Sequence, residues 1–275
     1  MLKDLVVNLS TDVADNATVD YAVSLARTFD AHLAAVAFAY EIIPIAMLAE
    51  DAPTGLFDEL QRESVEAAKA AVAKFEEAAR GSGVSVEARW MTASFSGTAE
   101  QFGRIARRFD ISVVRQSEPG KSTPDSLTIE AALFDAGRPV LVVPYIQKAG
   151  IKLDRAMVCW DGSRSAARAV GDAMPFLKRA KAVEVVVVGD RVKSNEIPGA
   201  EIAHHLARHG VTVEVKEIVA ADIDAASVLL SYASDCSADF LVMGGYGHSR
   251  LREFVLGGVT RSILATMTIP TLLSH

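Results

Sequence analysis

The chain repeats itself at about half of its length, and this duplication constrains its fold more than any other feature. Three pairs of short segments match in order and in spacing: Val84–Arg89 with Val211–Lys216, Asp110–Val114 with Asp239–Met243, and Arg138–Val142 with Ile269–Leu273. Chance similarity between strand-like segments explains one such pair, but not three pairs in register. The sequence therefore predicts two related units built on the same plan.

Each half alternates apolar, Val- and Ile-rich segments with helical patterns, as is typical of a parallel sheet that is covered on both faces. In the first half we predict strands near 4–9, 32–39, 84–91, 111–115 and 139–144, and a long helix near 56–80. One face of this helix is predicted to consist of Phe57, Leu60, Ser64, Ala67, Ala68, Ala71 and Phe75. In the second half we predict strands near 155–160, 183–189, 211–218, 239–244 and 270–274, and helices near 163–180, 198–209, 224–236 and 258–267. The fold class is therefore predicted to be α/β, with two doubly wound, Rossmann-like domains in tandem at 1–147 and 152–275.

Composition excludes several classes of function. A net charge of −7 opposes contacts with nucleic-acid phosphates. No apolar run approaches the about 20 residues that span a bilayer, and the N-terminus does not read as a signal peptide. The two cysteines, Cys159 and Cys236, lack metal-type spacing and are predicted to be buried, reduced thiols. We expect a cytoplasmic protein without nucleic-acid or membrane partners.

A glycine-rich segment from Gly244 to Thr260 joins a predicted strand to a predicted helix. Glycines allow the backbone to approach a phosphate with several N–H groups pointing inward, and a helix N-terminus attracts anions. His248, Arg250 and Arg252 are candidates for added positive charge. The segment therefore indicates an anion site, the alternative being a glycine-rich turn that only connects the two elements.

Asp161 follows the first strand of the second half, and is itself followed by Gly162 and Ser163. Loops after the first and fourth strands of a doubly wound sheet flank the topological switch point, where ligands bind. A carboxylate there can accept hydrogen bonds from ribose hydroxyls. Asp161 can equally begin the next helix through an Asx turn, as can Ser163, and the two roles are compatible.

These residues resemble the universal stress protein family. Its loop carries a glycine, two residues, a glycine, nine residues, and a glycine followed by serine or threonine. Gly244, Gly247 and Gly257 match the three glycines, and Asp161–Ser163 with Ser165–Ala166 match the end of the family's first strand. The resemblance covers the second half in its motifs and the first half in element order. It is to the tandem type, with two adenine nucleotide alpha hydrolase-like domains.

The resemblance implies that the ligand is ATP or a related adenine nucleotide, with any magnesium ion arriving with the phosphates. It places the adenine at the Val188 backbone near Met243, and the ribose at Asp161. The phosphates would lie against Gly244, Gly247, Gly257, Gly258, Val259 and Thr260, with His248 as an added positive group. One departure is Gly258, which replaces the family's serine or threonine. The lost hydroxyl donor is worth about 1 kcal/mol, so we predict weaker phosphate binding, with Thr260 as a candidate replacement.

The first half departs from this motif. Ser10 stands where the second half has its aspartate, and the glycines of the loop are missing after Arg115. Glu118 and Asp125 are expected to repel phosphate. Arg115 and Lys121 are expected to be solvated surface residues, the alternative being a site for another anion. We predict that the first half keeps the sheet and has lost the site.

We therefore expect a binding and regulatory protein of the stress response that senses or stores an adenine nucleotide. Two alternatives stay open: a slow ATPase or nucleotidyl-transfer enzyme that uses His248, and an interaction module that binds no nucleotide. The resemblance also implies that the strand near 139–144 pairs with the strand near 270–274, which makes an intramolecular pseudo-dimer. A homodimer is a further option.

Two groups of polar residues are set aside as exposed helix faces. They are the histidines His204, His205 and His209, and the arginines Arg104, Arg107 and Arg108. The first group has a metal-like spacing of four residues, and the second lies beside the apolar residues Ile105 and Phe109. No metal site and no nucleic-acid patch are predicted from them.

Overall fold

A computed structural model describes residues 1–11, 17–41, 54–95, 97–120, 124–189, 199–220, 224–245 and 258–275. The chain divides into two compact units. The first unit contains residues 2–138 and 148–150, and the second contains Met1, residues 139–147 and residues 151–275.

In the first unit, helices alternate with the strands of a parallel sheet, which confirms the predicted fold class. Its elements are β1 (Asp4–Leu9), α1 (Ala17–Phe29), β2 (His32–Tyr40), α2 (Thr54–Ala79), β3 (Val86–Ala93), α3 (Gly97–Ala106), β4 (Ile111–Arg115) and α4 (Asp125–Phe134). The strands lie in the order β3-β2-β1-β4 and pair in parallel. Phe75 and Phe102 are fully buried, and each buried side chain of this kind contributes about 1.5–3 kcal/mol.

The second unit follows the same plan with two further strands, β5 and β10. Its elements are β5 (Val140–Val143), β6 (Arg155–Cys159), α5 (Arg164–Leu177), β7 (Ala182–Gly189), α6 (Ala200–Arg208), β8 (Val213–Val219), α7 (Ala225–Asp235), β9 (Phe240–Gly244), α8 (Gly258–Thr266) and β10 (Thr271–Ser274). The strands lie in the order β5-β10-β9-β6-β7-β8. Phe176 of α5 stacks on Phe240 of β9 with ring centroids 4.9 Å apart, which fixes α5 against the sheet.

β5 belongs to the second unit although its sequence lies in the first repeat. It pairs antiparallel with β10, with Leu141 opposite Leu272, while β10 pairs in parallel with β9. The predicted pairing of these two strands is therefore confirmed.

The start of β8 differs from the prediction for a local reason. Gly210 has a φ of 81°, and the N–H of Val211 donates to the carbonyl of Leu206, 3.1 Å away. This left-handed helix ending uses Val211 to satisfy a terminal carbonyl of α6. The strand therefore begins at Val213 instead of near 211.

Two expectations about burial are correct only in part. The predicted apolar face of α2 is buried at Ala68 and Phe75, but Leu60 is 40% exposed. Cys159 is buried and reduced as predicted, whereas Cys236, at the end of α7, is only half-buried. Among the described helices, none combines the length and apolar character that crossing a bilayer needs.

Candidate functional site

The carboxyl ends of β6, β7 and β9 meet at one edge of the second unit's sheet. Cys159 of β6 lies opposite Val186 of β7 and Met243 of β9 in the parallel register. Asp161 therefore leaves the sheet beside the ends of β7 and β9. This is the topological switch point of the sheet, where open α/β sheets bind ligands. The structure thus brings Asp161, Val188 and Met243 to one place.

The backbone of Val188 is directed toward the end of β6. The carbonyl of Val186 accepts a hydrogen bond from the N–H of Trp160 at 2.9 Å, and the carbonyl of Gly189 accepts one from Ala220 on the β8 side. Because backbone polar groups alternate between the two neighbours of a strand, the N–H and C=O of Val188 point to the β6 side. They lie beyond the hydrogen bond between Trp160 and Val186, where β6 has ended, and are placed to contact a ligand.

Asp161 is exposed, and it also organises the start of α5. Its Oδ1 atom accepts a hydrogen bond from the N–H of Ser163 at 2.9 Å. Ser163 is the N-cap of α5, and its Oγ atom accepts from the N–H of Ala166 at 3.1 Å. A carboxylate has about four acceptor positions, and the N–H of Ser163 uses one of them. Asp161 can therefore still accept hydrogen bonds from ribose hydroxyls. Both roles considered for it are compatible with this geometry.

Gly244 ends β9 against the first turn of α5. A Cβ atom on Gly244 would lie 2.5 Å from the backbone nitrogen of Ala166 and 2.6 Å from the carbonyl carbon of Ser165. These distances are shorter than real Cβ contacts, so the position requires glycine for close packing, without any need for a positive φ. Sequence reasoning assigned Gly244 to phosphate binding and missed this packing role.

The C-terminal residues hold the start of the loop. The N–H of Gly245 donates to the carbonyl of Ser274 at 2.7 Å, and His275 Nδ1 lies 3.1 Å from the carbonyl oxygen of Gly245. The end of β9 is therefore fixed as far as Gly245. His275 carries no recognisable motif, so only the tertiary structure reveals its contact with the loop.

The helix α8 begins at Gly258, with Val259 half-buried and Thr260 only 4% exposed. Its first turn carries no acidic side chain, so no carboxylate of its own competes for the N–H groups at the helix start. A Cβ atom on Gly258 would meet no described atom within 4 Å. The predicted site residues Gly247, His248 and Gly257 lie outside the described residues.

The corresponding place in the first unit contains an internal ion pair. Arg115 ends β4 and is 7% exposed, with its Nη1 atom 3.4 Å from Asp125 Oδ2 and its Nη2 atom 2.8 Å from Glu118 Oε2. The prediction that Arg115 is a solvated surface residue is therefore wrong, because burial of the guanidinium is compensated by two carboxylates. Asp125 is the first residue of α4, so this helix carries a carboxylate in its first turn, whereas the first turn of α8 carries none. Lys121 lies outside the described residues.

The two groups of polar residues set aside earlier are exposed. His204, His205 and His209 lie on or just after α6, and the rings of His205 and His209 are 4.7 Å apart in an edge-to-face arrangement. Within the described part of the chain, no cluster of three potential metal ligands is found. Arg104, Arg107 and Arg108 are exposed, while Ile105 and Phe109 are buried, as predicted for an amphipathic face.

Comparisons with known proteins agree with this fold. The sequence model of the universal stress protein family matches residues 152–275. A universal stress protein of Synechocystis sp. is 29% identical over 178 residues, covering 60% of this chain and only 57% of that protein. A solved universal stress protein of Archaeoglobus fulgidus has a TM-score of 0.73 at 15% identity, covering 98% of this chain and 95% of that one.

A solved Pseudomonas aeruginosa protein, described as a universal stress protein, has a TM-score of 0.57 at 16% identity and covers 99% of this chain and 93% of its own. These two solved structures, from Archaeoglobus fulgidus and Pseudomonas aeruginosa, share the fold of this chain over nearly its whole length. The class is thus a Rossmann-like α/β protein of the tandem type. Residues 152–275 match the universal stress protein family.

Proposed function

We propose that the second unit binds ATP or a related adenine nucleotide, and that the protein has a regulatory role in the cytoplasmic stress response. One observation carries this proposal: the Val188 backbone groups and the Asp161 carboxylate converge beyond the end of β6. An adenine base needs backbone donors and acceptors, and a ribose needs an acceptor for its hydroxyls. This edge offers both within one unit.

The residue roles follow from this placement. Val188 and Met243 would contact the adenine, and Asp161 the ribose. The phosphates would lie against Gly244, Gly247, His248, Gly257, Gly258, Val259 and Thr260. The absence of an acidic residue from the first turn of α8 fits this group, because its N–H groups can receive phosphate oxygens. Any magnesium ion would be held mainly through the phosphates.

We propose that 1–147 and 152–275 are the two domains as units of duplication, with β5 of the first contributed to the compact unit of the second, and that the nucleotide site is confined to the second domain. The buried Arg115 supports this, since its two carboxylate partners, Asp125 and Glu118, occupy the guanidinium and leave a net negative charge near the start of α4. A second phosphate there would be repelled by that charge. Because no general base stands out near the glycine-rich segment in the sequence, binding and release, rather than turnover, would carry the function.

The test compares ATP with 2′,3′-dideoxyATP by calorimetry, using the full chain. In the native protein we expect ATP to bind at least tenfold more tightly, because a hydroxyl that donates to a carboxylate contributes about 1.5–3 kcal/mol. Asp161→Ala should remove that preference and leave the two affinities equal. The N-cap Ser163 is retained, so the fold should survive.

Asp172→Ala is the matched control. It removes the same charge from α5, where Asp172 pairs with Arg168 on the helix surface, 2.8 Å away. This variant should keep the full preference for ATP. Absence of ATP binding in the native protein, or an undiminished preference in Asp161→Ala, contradicts the proposal. Mass analysis of what co-purifies with the protein would identify the resident ligand.

A further inference from the structure

The first unit contains a cavity of about 200 Å³ at the carboxyl ends of its strands. Asn8 near the end of β1, Tyr40 at the end of β2, and Asp125 at the start of α4 all line it. Pockets for drug-sized ligands hold about 300–1,000 Å³. This cavity therefore suits a molecule of one ring with a short polar group.

One wall of the cavity is aromatic. The rings of Tyr40 and Phe95 are 5.5 Å apart and tilted by 44°. Phe95 is 47% exposed, whereas Phe38 is 5% exposed. Burial, with a smaller effect of the Asp125 charge, raises the pKa of the Tyr40 phenol. An aromatic wall of this kind favours a flat ring in edge-to-face or offset packing.

The polar wall accepts hydrogen bonds. The Oδ1 atom of Asn8 is buried and has no hydrogen-bond partner within the described ranges. The hydroxyl of Thr98 donates to the carbonyl of Phe95 at 2.9 Å, and that of Thr128 donates to the carbonyl of Pro124 at 3.0 Å. Their single protons are thus used, so both hydroxyls can only accept from a molecule in the cavity. The Asp125 carboxylate, whose Oδ2 atom lies 3.4 Å from Arg115 Nη1, is a further acceptor in this wall.

We propose that this cavity binds a small aromatic molecule with a hydrogen-bond-donating nitrogen group, such as an aromatic amine or amidine. Phosphates and other anions are excluded by the acceptors and by Asp125. Asn8 lines the cavity, so a small reorientation of its side chain would let the buried Oδ1 atom accept from the nitrogen group of the ligand. The site is separate from the proposed nucleotide site and does not depend on it.

The test uses three molecules with the same ring: benzamidine, a cationic donor; benzamide, a neutral donor; and benzoate, an anionic acceptor. Their binding to the full chain is measured by chemical-shift titration of backbone amides, with ATP present and absent. We expect benzamidine to bind most tightly, benzamide at least threefold more weakly, and benzoate not to bind. ATP should not displace benzamidine. Equal binding of benzoate, or no binding of benzamidine, overturns the proposal.

Asn8→Leu separates a binding role from a structural one. It keeps the side-chain size and removes the unpartnered oxygen, so we expect a higher urea midpoint together with at least tenfold weaker benzamidine binding. Ser112→Ala is the control, because Ser112 Oγ is also buried and unpartnered among the described residues but does not line the cavity. It should leave benzamidine affinity unchanged.

Thr128→Val provides a second variant, should Asn8→Leu not fold. It removes an acceptor of the same wall and should weaken benzamidine binding severalfold. Unchanged benzamidine affinity in both folded variants, or in Thr128→Val when it alone folds, refutes the site.

Discussion

Two glycine-to-alanine changes that involve the same helix should alter stability in opposite directions. In Gly244→Ala the added methyl group would lie 2.5 Å and 2.6 Å from backbone atoms of Ala166 and Ser165, which cannot move without shifting α5. Overpacking of this kind costs about 1–3 kcal/mol, and backbone contacts place it near the upper end. Gly171 lies inside α5 with no described atom within 4 Å of an added Cβ, so Gly171→Ala should stabilise by about 0.5–1 kcal/mol.

The difference between the two variants is therefore about 3–4 kcal/mol in the free energy of unfolding. Urea unfolding measures it, with a fluorescence reporter in the second unit alone, because a chain of two units need not unfold in one step. The protein has two tryptophans, Trp90 in the first unit and Trp160 in the second. A Trp90→Phe background leaves Trp160, directly after β6, as the reporter.

With a urea slope of about 2 kcal/mol per molar, the midpoints of the two variants should differ by about 1.5–2 M. A Gly244→Ala midpoint equal to or above that of the parent would refute the close packing of β9 on α5. A lower midpoint for Gly171→Ala would show that the helix surface is crowded there. Since both variants replace glycine with alanine, the entropy of the unfolded chain changes alike in both.

Three further outcomes are expected. Gly258→Ser should tighten ATP binding about fivefold in calorimetry, because it restores a hydroxyl donor worth about 1 kcal/mol and its Cβ would meet no described atom within 4 Å. Weaker binding would contradict this. Asp125→Asn should lower the urea stability of the first unit by about 1.5 kcal/mol, since it removes one charged contact of the buried Arg115 while Glu118 remains as its acidic partner. Burial raises the pKa of the Cys159 thiol to about 12, so in a Cys236→Ser variant no thiol should react with a disulfide reagent at pH 8 before unfolding.

Most of the sheet follows from local sequence. β4, β7 and β9 are nearly continuous apolar segments, as is typical of strands that are buried on both faces. The ends of elements are harder to predict because they depend on single hydrogen bonds. Val211 reads as a strand residue from its side chain, yet its N–H is used by the ending of α6.

The site was predictable to the extent that parallel strands align their carboxyl ends. This rule alone brings Asp161 beside Met243 and Val188. The burial of Arg115 was not predictable, because its partner Asp125 lies ten residues away across a connection whose path the sequence does not specify. A charged residue at the end of a strand reads as solvated until the tertiary structure provides its partners.

The pairing of β5 with β10 changes what counts as an independent piece of this protein. A fragment cut at residue 152, where the second repeat begins, would lack β5 and leave the apolar strand β10 as an open edge of its sheet. Open apolar edges recruit other chains, so such a fragment would be expected to dimerise or aggregate through β10. A fragment that starts near residue 139 keeps β5 paired with β10, and the repeat boundary in the sequence is therefore not the boundary of the compact unit.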